Sequence, residues 1–125
     1  MDIQAEGVRV LGRIGEQEKW DGLAGALAAV VPSAKESLSL LALEAFSVGT
    51  PLLGNAASAV VRGHLERSRA GLPFRDAESF VEAVVRVRAE RPAQARAARR
   101  YAGDYGWTRV VDAYREEMDA MVRPR

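Results

Sequence analysis

Residues 31–55, VPSAKESLSLLALEAFSVGTPLLGN, decide the fold of this chain. An apolar run ends at Pro32 and Ser33, a helical pattern follows, and Gly49 and Pro51 lead into a second apolar run. Glycine just past a helix and proline soon afterwards are common helix stop signals. The stretch therefore predicts a strand, a buried helix and a second strand.

Short apolar runs on both sides extend this pattern to about four strands. We predict strands at residues 8–11, 27–31, 52–53 and 71–74, the last at a sheet edge because Pro73 has no N–H for a neighbouring strand. The run 27–31 is apolar at every position, which is typical of a strand buried on both faces.

Helical spacing fills the segments between these strands. Asp76 is the expected N-cap of one helix, Pro92 is expected to break it, and the apolar stripe of the last helix is expected to pack, with part of it uncovered. The predicted helices are residues 16–26, 38–48, 60–68, 77–90, 93–105 and 107–122. The alternation predicts an α/β domain, a parallel sheet with flanking helices and a helical C-terminal tail.

Composition excludes several classes of protein. The 125 residues suffice for one domain, and 18 basic against 17 acidic side chains leave a net charge of +1, which argues against a nucleic-acid partner. The absence of cysteine excludes a disulfide or a thiolate metal site, and a single histidine argues against a transition-metal site. Without a long apolar run or a basic-then-apolar N-terminus, we expect a soluble, cytoplasmic protein with no integral membrane segment.

Two carboxylates in the opening stretch are candidates for function. The segment from Ser33 to Ser39 follows a strand, where helix N-termini of parallel sheets bind ligands. On one helix Glu36 and Glu44 would lie about 12 Å apart along the axis. Ser33 and Glu36 also have capping-box spacing, so Glu36 has a structural alternative. Glu44 lies in an apolar helix, where an unpartnered carboxylate is costly, and function and structure are evenly balanced for it.

The stretch resembles the paired-glutamate signature of the retaining nucleotide-sugar glycosyltransferases, the glycosyltransferase family 4 type of GT-B enzyme. The resemblance rests on Pro32-Ser33, Glu36, Glu44-Ala45 and Gly49-Thr50-Pro51. Residues 8–12 and the helix from Trp107 resemble the flanking family segments, and residues 62–72 resemble one bacterial subgroup. The likeness therefore extends over essentially the whole chain.

The resemblance implies that residues 1–125 form a single, truncated nucleotide-sugar-binding domain, the later part of a GT-B second domain, with a partial Rossmann-like parallel sheet of about four strands. By the family's roles Glu44 binds the ribose, the backbone of residues 37–39 holds sugar and diphosphate, and Gly12 and Arg13 face the base. The donor-binding residues implied are Gly12, Arg13, Ser33, Glu36, Ser37, Leu38, Ser39 and Glu44, with Glu36 as the catalytic residue. The family implies no cofactor and no metal, with a nucleoside-diphosphate sugar as donor substrate.

The same resemblance implies that the N-terminal acceptor domain and two strands of the second domain are missing. Whether the chain is an enzyme by itself therefore stays open, and we expect it to be inactive alone. A non-catalytic nucleotide-sugar or protein-binding module is the alternative, and a nucleic-acid-binding domain that uses the arginine-rich helices is a third reading. Without its neighbours, the strand at residues 8–11 is expected to pair with residues 27–31 or with another molecule, which would give a homo-oligomer through open sheet edges.

Three further features of the sequence bear on function. Residues 55–60, NAASAV, stand where many members of the family have a Gly-Gly loop and a further glutamate, so the donor contacts of that loop are not expected here. His64 is placed in a loop or a weak helix, and a structural role is favoured over a role in the site. The arginines at residues 86–100 are interleaved with glutamate, which favours a solvated helix face over a phosphate surface.

Overall fold

The elements follow the order of an α/β fold in the structure, a computed structural model that describes residues 5–123. The helices are α1 (Glu16–Gly25), α2 (Leu40–Ser47), α3 (Ala59–Ser68), α4 (Ala77–Gly103) and α5 (Trp107–Val122). The strands are β1 (Ala29–Val31), β2 (Leu52–Asn55) and β3 (Gly71–Phe74). They run parallel in the order β1-β2-β3, which confirms the predicted class of a Rossmann-like parallel sheet with flanking helices.

The sheet of the described residues has three strands, so the predicted strand at residues 8–11 is wrong. Val8 and Val10 are 54% and 64% exposed, and no strand pairs with them. A β-prone run becomes a strand only where another strand satisfies its backbone groups, and here none does. The expected pairing with residues 27–31 is therefore not observed, while pairing with a second molecule stays a prediction.

Successive residues of β2 point to opposite faces of the sheet, and each face carries a hydrophobic core. Leu52 belongs to a cluster with Phe46 of α2, Val61 of α3 and Ala98 of α4. Leu53, its neighbour, points to the other face and packs with α4 residues that include Val87. One end of α4 therefore covers one face of the sheet, and its other end packs on the opposite face.

The predicted break at Pro92 is wrong, because α4 continues through this residue. Proline lacks the N–H for one helical hydrogen bond, but both halves of α4 are held by buried side chains such as Val87 and Ala98, each 0% exposed. Arg91, next to the proline, donates to the carbonyls of Gly49 and Ala26 at 2.9 and 3.1 Å. Tertiary packing therefore overrides the local preference for a break.

Two elements expected to be fully buried are covered on one side only. The α2 helix buries Ala42, Ala45 and Phe46, while Leu40 is 66% exposed. In β1, Val30 is 41% exposed between two buried neighbours. The apolar runs were correctly assigned to helix and strand, but the described chain supplies neighbours for only one face of each.

The remaining boundaries agree closely with the sequence. Asp76 caps α4 in a capping box with Ser79, and Gly49 ends α2 with a φ of 78°.

The apolar stripe of α5 is less covered than expected, since no residue of this helix is buried and Trp107 is 84% exposed. No helix within residues 5–123 has the length and apolar character required to cross a bilayer.

Candidate functional site

The N-terminus of α2 faces the loop that leaves the carboxyl end of β1. Its N-cap, Ser39, has φ 61° and ψ 74°, and no side chain accepts a hydrogen bond from the first turn. The left-handed conformation costs a residue with a Cβ about 1–2 kcal/mol. The first N–H groups of a helix have no partner within it and carry the positive end of its dipole, so this end favours an anion.

The hydroxyl of Ser39 strengthens this interpretation. Ser39 is 6% exposed, and its Oγ has no hydrogen-bond partner in the described chain. A buried polar atom without a partner costs about 1–3 kcal/mol, so a group from a ligand would relieve that cost. Backbone strain and an unsatisfied hydroxyl therefore occur at the same residue.

The capping box expected at Ser33 and Glu36 is not formed, because α2 begins only at Leu40. The Ser33 hydroxyl donates to the carbonyl of Lys35 at 2.9 Å and accepts from its N–H at 3.2 Å, so it closes a local turn. This turn and the left-handed Ser39 delay the start of the helix. Glu36 is therefore a half-buried loop residue, and the expected spacing of two glutamates on one helix is wrong.

Glu44 lies one turn into α2 and has a partner that the sequence did not reveal. Its Oε1 accepts from Lys19 Nζ of α1 at 2.9 Å, with 29% and 27% of the two side chains exposed. Lys19 also contacts Glu16 at 3.2 Å. The hydrogen bond with Glu44 is the main cause that raises the pKa of Lys19 above its ordinary value. The ion pair removes the cost expected for an isolated carboxylate in this helix.

The other predicted site residues fall into two groups. Ser37 and Leu38 lie in the exposed part of the loop before Ser39. Residues 33–39 therefore lie together at the N-terminus of α2, and we call them the site loop. Gly12 and Arg13 lie in the exposed segment before α1, where Gly12 has a φ of 65°. Within residues 5–123, no hydrogen bond or ion pair joins this segment to Glu36 or Glu44.

His64 contacts the site loop, although the sequence favoured a structural role in a loop. It lies inside α3, 2% exposed, and its Nε2 is 2.7 Å from the Leu38 carbonyl oxygen. Its Nδ1 is 2.9 Å from the hydroxyl of Tyr101 in α4, whose pKa is raised mainly by burial. No local pattern marks Tyr101, because the contact joins residues 37 positions apart.

Asn55 at the end of β2 is a second contact that the sequence did not indicate. Its Nδ2 donates to the carbonyl of Pro32 at 2.8 Å, and its Oδ1 accepts from the N–H of Ala57 at 2.9 Å. Asn55 and Ala57 line a cavity of about 280 Å³ together with Arg75, which follows β3. The carboxyl ends of the strands are therefore tied to the loop that precedes α2.

The arginines of α4 serve partly as structural donors. Arg91 and Arg99 bind carbonyls that follow α2, Gly49 at 2.9 Å and Val48 at 3.2 Å, and Arg86 is 3.7 Å from Glu90. These contacts favour the predicted helix surface over a phosphate-binding surface. In the described part of the chain no group of three histidine, aspartate or glutamate side chains could hold a metal ion.

A larger cavity lies between α3 and α4, away from the N-terminus of α2. Its volume is about 530 Å³, and it is lined by Arg67, Arg69 and Arg100 together with Glu90 and Asp104. None of the predicted site residues lines it. Its mixed charges favour no single class of ligand, so the N-terminus of α2 remains the candidate site.

Comparison with known proteins shows the family of the chain. The family model described as glycosyl transferases group 1 matches residues 2–90, a range that includes all eight predicted donor-binding residues. No solved structure gives a significant match.

Two curated proteins are similar to the chain, and each is named a D-inositol 3-phosphate glycosyltransferase. The protein from Geodermatophilus obscurus is 39% identical over 87 residues, which are 68% of this chain and 19% of that protein. The protein from Saccharomonospora viridis is 39% identical over 98 residues, 72% of this chain and 23% of that protein. The chain thus spans about a fifth of the length of the curated relatives it matches.

Proposed function

The chain belongs to the group 1 glycosyl transferases, and on this premise we propose that it forms the part of a sugar-transferring enzyme that binds a nucleoside-diphosphate sugar donor. The observation that carries the proposal is the N-terminus of α2, where strained backbone and an unpartnered buried hydroxyl meet at Ser39. A diphosphate at this end would accept from the first-turn N–H groups and from that hydroxyl. It would also lie at the positive end of the helix dipole.

The two glutamates take different roles in this proposal. Glu44 accepts from the ribose hydroxyls through Oε2, because Lys19 occupies Oε1. Glu36, in the loop before the helix, binds the donor sugar and stabilises the positive charge that develops at the anomeric carbon as the diphosphate leaves. Ser33 contributes through the shape of its turn, since Lys35 engages its hydroxyl.

The remaining contacts of the donor are assigned to backbone. The N–H groups of residues 37–39 bind the sugar and the diphosphate, and Gly12 and Arg13 border the base. We propose that the reaction proceeds with retention at the anomeric carbon, as the family resemblance implies. We also propose that it needs no metal, because the N–H and hydroxyl groups of the donor site, together with contacts from outside residues 1–125, would stabilise the leaving diphosphate.

Complete transfer is a property that we assign to a longer assembly. The chain spans 19% and 23% of the two relatives, so acceptor binding and further diphosphate contacts would come from regions outside residues 1–125. We therefore expect this single domain to bind donor without turnover.

A titration separates the proposed contacts. We expect the addition of uridine diphosphate, and in parallel of other nucleoside diphosphates, to the ¹⁵N-labelled chain to shift amides of residues 33–44. Glu44→Gln should weaken binding of the nucleoside diphosphate about tenfold and leave binding of inorganic pyrophosphate unaffected, because pyrophosphate has no ribose. Ser39→Ala should weaken binding of both ligands, because both would accept from the Ser39 hydroxyl.

Two controls complete the titration. Lys19→Met breaks the same ion pair as Glu44→Gln but keeps the carboxylate, so it should retain nucleotide binding. Glu82→Gln changes an exposed carboxylate of α4 and should have no effect. The absence of any shift at millimolar ligand, or shifts confined to the cavity between α3 and α4, would contradict the proposal.

A further inference from the structure

We propose that His64 is a positioning residue of the donor site, because its imidazole sets the direction of the Ser39 N–H that is offered to the diphosphate. This inference rests on the proposed function. His64 is the single histidine of the chain, and it is buried in α3 with 2% of its surface exposed. Both ring nitrogens of so buried a side chain require hydrogen-bond partners, and both have them.

The partners fix the position of the ring proton. The Leu38 carbonyl only accepts, so Nε2, at 2.7 Å, carries the hydrogen. In the neutral imidazole Nδ1 then accepts from the Tyr101 hydroxyl at 2.9 Å. Tyr101 in turn accepts from Arg67 Nε at 3.2 Å and from the Tyr105 hydroxyl at 2.8 Å. The hydrogen bonds therefore run in one direction, from α4 and the end of α3 to the site loop.

The bond to Leu38 also orients the next peptide group. In a planar trans peptide the C=O of Leu38 and the N–H of Ser39 point in opposite directions, so fixing the first fixes the second. Ser39 has the left-handed φ of 61°, a strained conformation that persists only where the surroundings enforce it. Among the described residues, His64 makes the only side-chain hydrogen bond to the backbone of residues 37–39.

The competing explanation is that His64 only packs in the core and does not position the loop. The centroid of its ring lies 6.5 Å from that of Phe46 and 5.8 Å from that of Tyr101, both edge-on, so a large change of the side chain would disturb the core. Two amides separate the roles. The amide nitrogen of His64→Gln reaches the position of Nε2, while that of His64→Asn reaches only the position of Nδ1. Both variants lose similar ring contacts, but only His64→Gln keeps the donor to Leu38.

Measurements on the ligand-free chain decide whether His64 sets the loop. Imidazole ¹⁵N shifts of the unmodified chain should show the hydrogen on Nε2. In His64→Asn, coupling constants and carbon shifts should place Ser39 outside the left-handed region, and in His64→Gln they should leave it inside. A hydrogen on Nδ1, or an unchanged Ser39 in His64→Asn, would overturn the proposal.

A milder variant covers the case in which His64→Asn does not fold. Tyr101→Phe keeps the ring packing and removes the hydrogen bond that Nδ1 accepts, so Leu38 alone holds the imidazole and the bond to its carbonyl should lengthen. The Ser39 amide should then shift part of the way toward its position in a loop without the Leu38 bond. An unmoved Ser39 amide would count against the proposal.

Pyrophosphate binding connects the loop to the ligand. We expect His64→Asn to raise the Kd for inorganic pyrophosphate about tenfold and His64→Gln to change it less than about twofold. Equal affinity of His64→Asn and the unmodified chain would overturn the positioning role and leave the proposed function intact. If the unmodified chain binds no diphosphate, the proposed function fails, and the ligand-free measurements alone decide whether His64 sets the loop.

Discussion

Gly54 offers a quantitative test of the close packing between β2 and α3. This packing holds α3, which carries His64, beside the loop that contains Leu38. A Cβ at this position would lie 2.0 Å from Val61 Cγ1, well inside the ordinary contact distance of 3.4 Å. The backbone of Gly54 is outside the left-handed region, so the steric conflict is the main obstacle to alanine. Val61 is 0% exposed and cannot move into solvent.

The expected free energies follow from this geometry. Gly54→Ala should destabilise the chain by about 3 kcal/mol, at the upper end for overpacking, because Val61 must move by more than an ångström. Val61→Ala removes two buried methyl groups and should cost about 2 kcal/mol. In the double variant the new methyl has its nearest remaining neighbours, Val61 Cβ and Leu65 Cδ1, at 3.5 Å. The double variant should therefore lose only about 2 kcal/mol, which gives a coupling energy of about 3 kcal/mol.

Urea unfolding followed by far-UV circular dichroism measures all four proteins of this cycle. Gly54→Ala is best introduced into the Val61→Ala background first, because the single variant approaches the whole stability of a small domain. Additive losses, with the double variant less stable than either single variant, would refute the argument. A cost of Gly54→Ala below about 1 kcal/mol would refute it as well.

Three further predictions concern the rest of the fold. Gly22→Ala, at an exposed position of α1 where a Cβ meets nothing within 4 Å, should stabilise the chain by about 0.5–1 kcal/mol in urea unfolding, and a loss would contradict the open geometry. Arg91→Ala should cost about 2 kcal/mol in the same assay because it orphans two carbonyls, whereas the exposed Arg88→Ala should stay within about 0.5 kcal/mol. Backbone and side-chain hydrogen bonds from Ser79 lower the pKa of Asp76 below its usual 3.8, so the unfolded chain binds that proton more readily and stability falls as the pH drops below this value. Asp76→Asn keeps a capping oxygen and should reduce the difference between melting temperatures at about pH 5 and about pH 2.5, and an unchanged difference would exclude this cause.

Much of the fold was predictable because its signals are local. Gly49 and Pro51 mark the end of α2 and the start of β2, and Asp76 marks the start of α4. The errors occur where a distant partner decides. Residues 8–11 lack a neighbouring strand, and the break at Pro92 is overruled by packing on both faces of the sheet.

The candidate site was predictable in part for the same reason. The sequence indicated the loop before α2, which contains Glu36, and the helix that contains Glu44, and the roles of both glutamates in donor binding stay predictions. It gave the wrong helix start, because the left-handed Ser39 displaces it. It also missed Lys19 and Asn55, which contact the site, and Tyr101, which contacts His64, because each of these contacts joins segments that are far apart in sequence.

The path of α4 has a consequence for the order of folding. Arg91 joins α4 to residues 42 and 65 positions earlier in the chain, beside the amino ends of β2 and β1. Contacts that close such long loops are entropically expensive and form late. We therefore expect the sheet and its first helices to assemble before α4 spans it. Weakening the Arg91 contacts would then accelerate unfolding and leave the folding rate nearly unchanged.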